Sequence, residues 1–139
     1  MINFEIDRVK AFMHSLLKTK TFDKFNIKSV EIITFAKFSI APKEITSWDR
    51  LKPYVLNIVK GKTLPSMKIV FSLNKESILK ENTDFFLNLY FSENRLSFTT
   101  GTASREFTLD KSASQVWEDY VKDFFVKNAF VEKDFFEEV

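Results

Sequence analysis

The sequence predicts an α+β fold in which an antiparallel β-meander sheet of about five to seven strands carries N-terminal, middle and C-terminal helices. Three observations lead there. An apolar stripe of helical spacing runs through Val9, Phe12, Met13, Leu16 and Leu17. After Pro65 the apolar period changes to two, in several short runs divided by turn residues. A second helical stripe, Val116, Trp117, Tyr120, Val121, Phe124 and Phe125, follows those runs.

In chain order, Ile2, Phe4 and Ile6 alternate with polar residues as a short strand does. Asp7 is the expected N-cap of a helix over 8–19, whose stripe follows the i, i+3, i+4, i+7 pattern. Thr21 to Asn26 reads as a connection with Phe22 and Phe25 turned inward. Residues 27–41 are rich in β-branched and aromatic types and read as one bent strand or two short ones, with a turn or bulge near Thr34 to Lys37. Thr46 or Ser47 opens a helical segment that ends at Gly61, with Trp48, Leu51, Val55, Ile58 and Val59 on one face. Pro53 implies either a kink or a helix split at Lys52.

Met67, Ile69, Phe71 and Leu73 form the first period-two run, and Phe85, Leu87, Leu89 and Phe91 the second. A short helix is expected between them, over 75–82. Ser92-Glu93-Asn94 turns the chain into Leu96 and Phe98, and Phe107 with Leu109 closes the series. Ser112-Ala113-Ser114-Gln115 has the form of a capping box for a helix over 113–127, in which Gln115 reaches back to the cap amide. The whole chain, 1–139, reads as one domain, with 129–139 an acidic and aromatic tail.

Composition bounds function. With 45% hydrophobic and 29% charged residues the chain is of ordinary globular type. The absence of cysteine removes disulfide scaffolds, thiolate–zinc sites and thiol catalysis, and fits a reducing compartment. No apolar run approaches the roughly 18 residues of a membrane span, and no leader pattern opens the sequence, so a cytoplasmic protein without membrane contact is expected. Seventeen phenylalanines stand against two glycines; abundant Lys, Asn and Ile point to an A+T-rich coding bias. Residues 1–70 hold 13 Lys+Arg and 6 Asp+Glu (+7), leaving 8 and 13 (−5) for the rest, which restores the net +2. That asymmetry marks either a basic side facing an anion or two halves that interleave in space.

Few residues form chemical patterns. Lys60-Gly61-Lys62-Thr63 ends like a P-loop, but Leu56 stands where its first glycine belongs, and the order of helix and strand is reversed. His14 is the only histidine and has neither a nucleophile nor a ligand set in sequence reach. Glu118/Asp119 and Glu137/Glu138 are sequence neighbours whose side chains diverge on a helix. No catalytic residue, metal or cofactor is assigned, and the reading leans away from an enzyme, although carboxylate or hydroxyl chemistry stays open.

Thr99-Thr100-Gly101-Thr102-Ala103-Ser104-Arg105 is the most unusual segment. It reads either as an anion-binding turn or as a simple β-turn in which Gly101 takes a positive φ. The outward face of the meander, with Lys68, Phe86, Tyr90, Arg95, Ser97 and Thr99, interleaves aromatic and basic groups as single-strand nucleic-acid binders do. It lacks RNP1 and GxxG motifs.

Trp48-Asp49-Arg50-Leu51-Lys52-Pro53, Ile58-Val59-Lys60-Gly61-Lys62, Pro65 and Lys68-Ile69-Val70-Phe71 form one recurring pattern. Thr99-Thr100-Gly101-Thr102, Phe107-Thr108-Leu109-Asp110-Lys111-Ser112 and Trp117 form another, with Phe12 and Thr21-Phe22-Asp23 ahead of both. Together these stretches resemble an uncharacterised family of small bacterial proteins known only as a domain of unknown function. The chain departs from it in a shorter stretch between Ile40 and Trp48. The resemblance implies no activity and no binding residues.

Two functions are therefore expected. The first is a non-enzymatic cytoplasmic binding or interaction module, meeting a protein partner or a second copy through Phe130, Phe135 and Phe136. The alternative is a binder of a phosphate-bearing ligand or single-stranded nucleic acid, using Lys62, Lys68, Tyr90, Arg95, Thr100, Thr102 and Arg105.

Overall fold

The structure is a computed structural model that describes residues 1–61, 66–73, 83–104 and 112–137. Its elements run β1 (Asn3–Ile6), α1 (Val9–Lys18), β2 (Asn26–Ile33), β3 (Lys37–Ile40), α2 (Trp48–Val59), β4 (Ser66–Leu73), β5 (Thr83–Ser92), β6 (Arg95–Ser104) and α3 (Ser112–Lys127). The expected helix at 75–82 and the strand residues Phe107 and Leu109 lie outside the described residues.

The six strands form one antiparallel sheet in the order β1-β6-β5-β4-β2-β3. β4, β5 and β6 are the meander that period-two patterning predicts. The first hairpin, β2–β3, adds to one side of it and β1 closes the other. The strand reading of 27–41 resolves as two strands joined at Thr34–Ala36, where the Thr34 N–H donates to the Ala36 carbonyl. A register shift falls between Ile27 and Ser29.

All three helices pack on one face. Phe12 of α1 meets Phe98, Trp48 of α2 meets Phe71, and α3 sets Trp117 on Phe85 and Phe125 on Phe98. Phe71, Phe85 and Phe98 belong to the same strand parity as Ile69, Leu87 and Leu96, all buried. Aromatic pairs at edge-to-face and stacked distances link Phe4, Phe12, Phe22, Phe25, Phe124, Phe125 and Phe130 into one continuous core.

Several local expectations are corrected. Arg8, not Asp7, is the N-cap of α1, and it makes no side-chain capping bond. β1 runs to Ile6 and the helix begins at Val9, which places Asp7 one residue too early; its carbonyl receives the Val9 N–H. Of the two readings of Pro53, the split is excluded, because α2 runs unbroken from Trp48 to Val59. Gly61 stops it at φ +67°, in the left-handed region that suits glycine. Val116 is exposed rather than on the apolar face of α3. The Gln115 amide donates forward to Asp119 (2.9 Å). Among the described residues no helix is long and apolar enough to cross a membrane.

Candidate functional site

The structure divides the predicted ligand set between two faces. Lys68, Tyr90 and Arg95 point away from the helices; Lys68 and Tyr90 belong to a cross-strand row that reads Glu31, Lys68, Tyr90, Ser97, Glu5, and Arg95 lies two residues from Ser97 on β6. Thr100 and Thr102 have the opposite parity, opposite Leu87 and Phe85 on the helix-covered side. Thr100 is 1% exposed, and Thr102 is exposed near the strand end. Lys62 and Arg105 lie outside the described residues.

The threonine-rich segment is not a turn up to Ser104. Residues 99–104 continue β6, paired to β5 throughout, and Gly101 does not take a positive φ. Its hydroxyls serve the sheet edge: Thr100 Oγ1 receives the Ile2 N–H at 3.0 Å, and Thr99 Oγ1 donates to Asn3 Oδ1 at 2.6 Å. A segment that looks like an anion cradle is thus a fastening for β1. The turn reading fails up to Ser104 because threonine suits strands as well as turns.

On the outer face the cations already have partners. The Arg95 guanidinium donates two hydrogen bonds to Glu5, at 2.8 and 2.9 Å, and these hold the Glu5 carboxyl below its ordinary 4.5. Lys68 Nζ sits 5.4 Å from the centre of the Tyr90 ring, and Glu31 is its cross-strand neighbour on β2. Lys37 of β3 lies 3.8 Å from the same Glu31, so these groups set Lys37, Lys68 and Arg95 against Glu31 and Glu5, a single positive charge in excess, whereas tracking a phosphate backbone calls for a larger surplus.

The residues that carry the family pattern also have structural roles. Trp48 Nε1 donates to the Leu16 carbonyl at 2.8 Å, and Lys52 Nζ donates to the Thr19 carbonyl and to Asp23 Oδ1 at 2.8 and 2.6 Å. With Thr19 Oγ1 on the Ser15 carbonyl, these bonds satisfy the C-terminal end of α1, whose last carbonyls have no helical partner. Trp117 Nε1 donates to the Phe86 carbonyl at 2.8 Å and ties α3 to β5.

The aromatic tail is not free either. Phe130 is buried against Phe12, Phe22 and Phe125, while Phe135 and Phe136 pack edge-on to Phe4. Arg8 holds the segment through the Ala129 carbonyl and Glu132. His14 is exposed on α1, and among the described residues no three His, Cys, Asp or Glu side chains gather as metal ligands would.

The surface that sequence reasoning missed borders the β3 edge. Ile33 and Phe35 (82% exposed) stand at one end of β3; Ile45 (86%) follows its other end, and Tyr54 (65%) projects from α2. Between strand end and helix runs a groove of about 400 Å³, lined by Ile40, Pro42, Lys43, Arg50, Leu51 and Tyr54, with Glu44 and Thr46 completing it. The available signal was negative: Tyr54 falls off the α2 stripe, and Phe35 and Ile45 sit in connections where nothing requires an apolar residue.

No curated protein and no solved structure matches the chain. A family-wide sequence comparison matches residues 39–132, from β3 through α3 to Glu132, with a family of unknown function, DUF5721. That stretch holds Trp48, Lys52, Thr100 and Trp117, whose hydrogen bonds fasten helices and sheet together. By this match, which covers more than half of its length, the chain belongs to the DUF5721 family.

Proposed function

We propose that the protein is a non-enzymatic binding module that engages a protein partner through the β3–α2 edge. One observation carries this reading. Of the seven exposed large hydrophobic side chains among the described residues, Tyr54 lines the groove, Ile45 falls between its lining residues Glu44 and Thr46, and Ile33 and Phe35 stand at the β2–β3 turn, at the other end of β3. Apolar area left in water forgoes roughly 25 cal/mol per Å², and exposed apolar groups at a groove, as Tyr54 and Ile45 are here, are a common mark of an interaction surface. The absence of cysteine favours work in a reducing compartment, the cytoplasm. The tail rings are engaged within the chain: Phe130 is buried in the core, and Phe135 and Phe136 pack half-buried against it.

The test is site-specific photo-crosslinking in cells. A benzophenone amino acid at position 54 is expected to trap a discrete protein, and Ile45→Glu is expected to abolish the adduct. The control carries the same group at position 90, on the outer sheet face. No adduct at 54, or adducts equal at 54 and 90 and indifferent to Ile45→Glu, would overturn the reading.

A second reading keeps the outer face as a single-stranded nucleic-acid platform, favoured by the exposed Tyr90 ring with Lys68 over it. It predicts salt-sensitive binding of a labelled oligothymidine that Tyr90→Ala weakens about tenfold. Undetectable binding at low salt would remove it.

A further inference from the structure

The groove at the Ile40 end of β3, together with that strand's place at the edge of the sheet, has the parts of a strand-addition site. β3 is the terminal strand of the sheet, and no strand pairs with its far side among the described residues. In a terminal strand, alternate residues turn their N–H and C=O away from the sheet. An added strand would send every second side chain toward the helix-bearing face, where the groove opens between Ile40, Leu51 and Tyr54.

Charge decides what kind of strand fits. Lys43 and Arg50 line the groove, both exposed, and among the described residues neither is in an ion pair. Glu44 is the one described carboxylate in the lining, which leaves one positive charge in excess. Lys37, at the start of β3, is already 3.8 Å from Glu31.

We infer that the partner contributes an extended segment that adds as a seventh strand on β3, seats an apolar side chain on Ile40, Leu51 and Tyr54, and reaches Lys43 and Arg50 with a carboxylate. This rests on the interaction-module reading and gives it a chemistry: main-chain hydrogen bonds supply affinity, and the groove with its two cations supplies selectivity.

A phage-displayed library of random linear peptides, panned on the full chain, is the probe. Selected sequences are expected to alternate apolar residues at period two around an aspartate or glutamate. N-methylation of alternate peptide amides, and Arg50→Glu in the protein, should each weaken them about tenfold. Amide shifts on binding should centre on residues 37–40. Selected peptides without a carboxylate, or indifferent to N-methylation, would overturn the inference. So would shifts centred elsewhere, or a failure to enrich any peptide. The position-54 crosslink is independent: its survival alongside such a failure would leave a partner surface that does not work by strand addition.

Discussion

The Trp48 indole is fully buried, and its single donor reaches the Leu16 carbonyl of another helix. Trp48→Phe would keep most of the apolar contact with Phe71 but leave that carbonyl without the indole donor. A loss of about 2 kcal/mol is expected, read as a lower urea midpoint at unchanged slope. Lys52 and Asp23 are each less than one-fifth exposed, so Lys52→Ala strands a carboxylate and a helix-end carbonyl together. A loss of about 2 kcal/mol is expected there too, below the value for fully buried pairs because solvent still reaches both groups. Glu5 differs in kind, since it is solvated and its pairing with Arg95 acts on titration more than on stability. Its folded value is depressed, so the pairing contributes at higher pH and is lost as pH falls through that folded value, in the window below 4.5. In a carboxyl-carbon NMR titration, Arg95→Gln should move the Glu5 midpoint upward toward its ordinary value; an unmoved midpoint would refute Arg95 as the cause.

Among the elements, the β5–β6 hairpin carries its register on an unusual turn. Glu93 and Asn94 both have positive φ, 52° and 60°, the backbone of a two-residue turn that normally recruits Asn-Gly. Changing the pair to Asn-Gly (Glu93→Asn, Asn94→Gly) should stabilise the protein by up to about 1 kcal/mol, measured by thermal and urea unfolding. The turn was legible because three polar residues separate two period-two runs. So were α1, β4 and β5, where one side of each element is apolar and the alternative register would expose it. Less legible were features fixed by distant partners. Thr100 reads as loop chemistry until β1 is placed beside it, 98 residues away in sequence. Pro53 leaves a kink or a split open in sequence, and only the continuous helix from Trp48 to Val59 excludes the split. Of the predicted ligand set, alternation correctly placed Lys68, Tyr90 and Arg95 on one face, but nothing local revealed that Glu5 would meet Arg95. The β3–α2 groove was illegible for the same reason: its walls come from Ile40 and Tyr54, which share no pattern.

At the scale of the whole molecule, the strand order explains why the strong charge asymmetry of the sequence need not become a strong dipole. β1, β2 and β3, from the basic half, flank β5 and β6, from the acidic half, with β4 spanning the division. Arg95 pairs back to Glu5, and Arg8 forward to Glu132, across the same division. The C-terminal segment is then a wall of the core rather than an appendage, and two truncations separate those roles. Ending the chain after Lys127 removes Phe130 and Val131, both buried, along with the Arg8 contacts. Phenylalanine truncation alone typically costs about 3–5 kcal/mol, a large part of a small domain's total, so cooperative unfolding should be lost or shifted far downward. Ending after Glu132 keeps both buried residues and the Arg8 anchor, and uncovers only the half-buried Phe4 contact with Phe135 and Phe136. That chain should stay cooperative and lose about 1–2 kcal/mol. Circular dichroism melts of the two would decide it: equal, small effects would mean that Phe130 contributes little to the core and would return the tail to consideration as a docking arm.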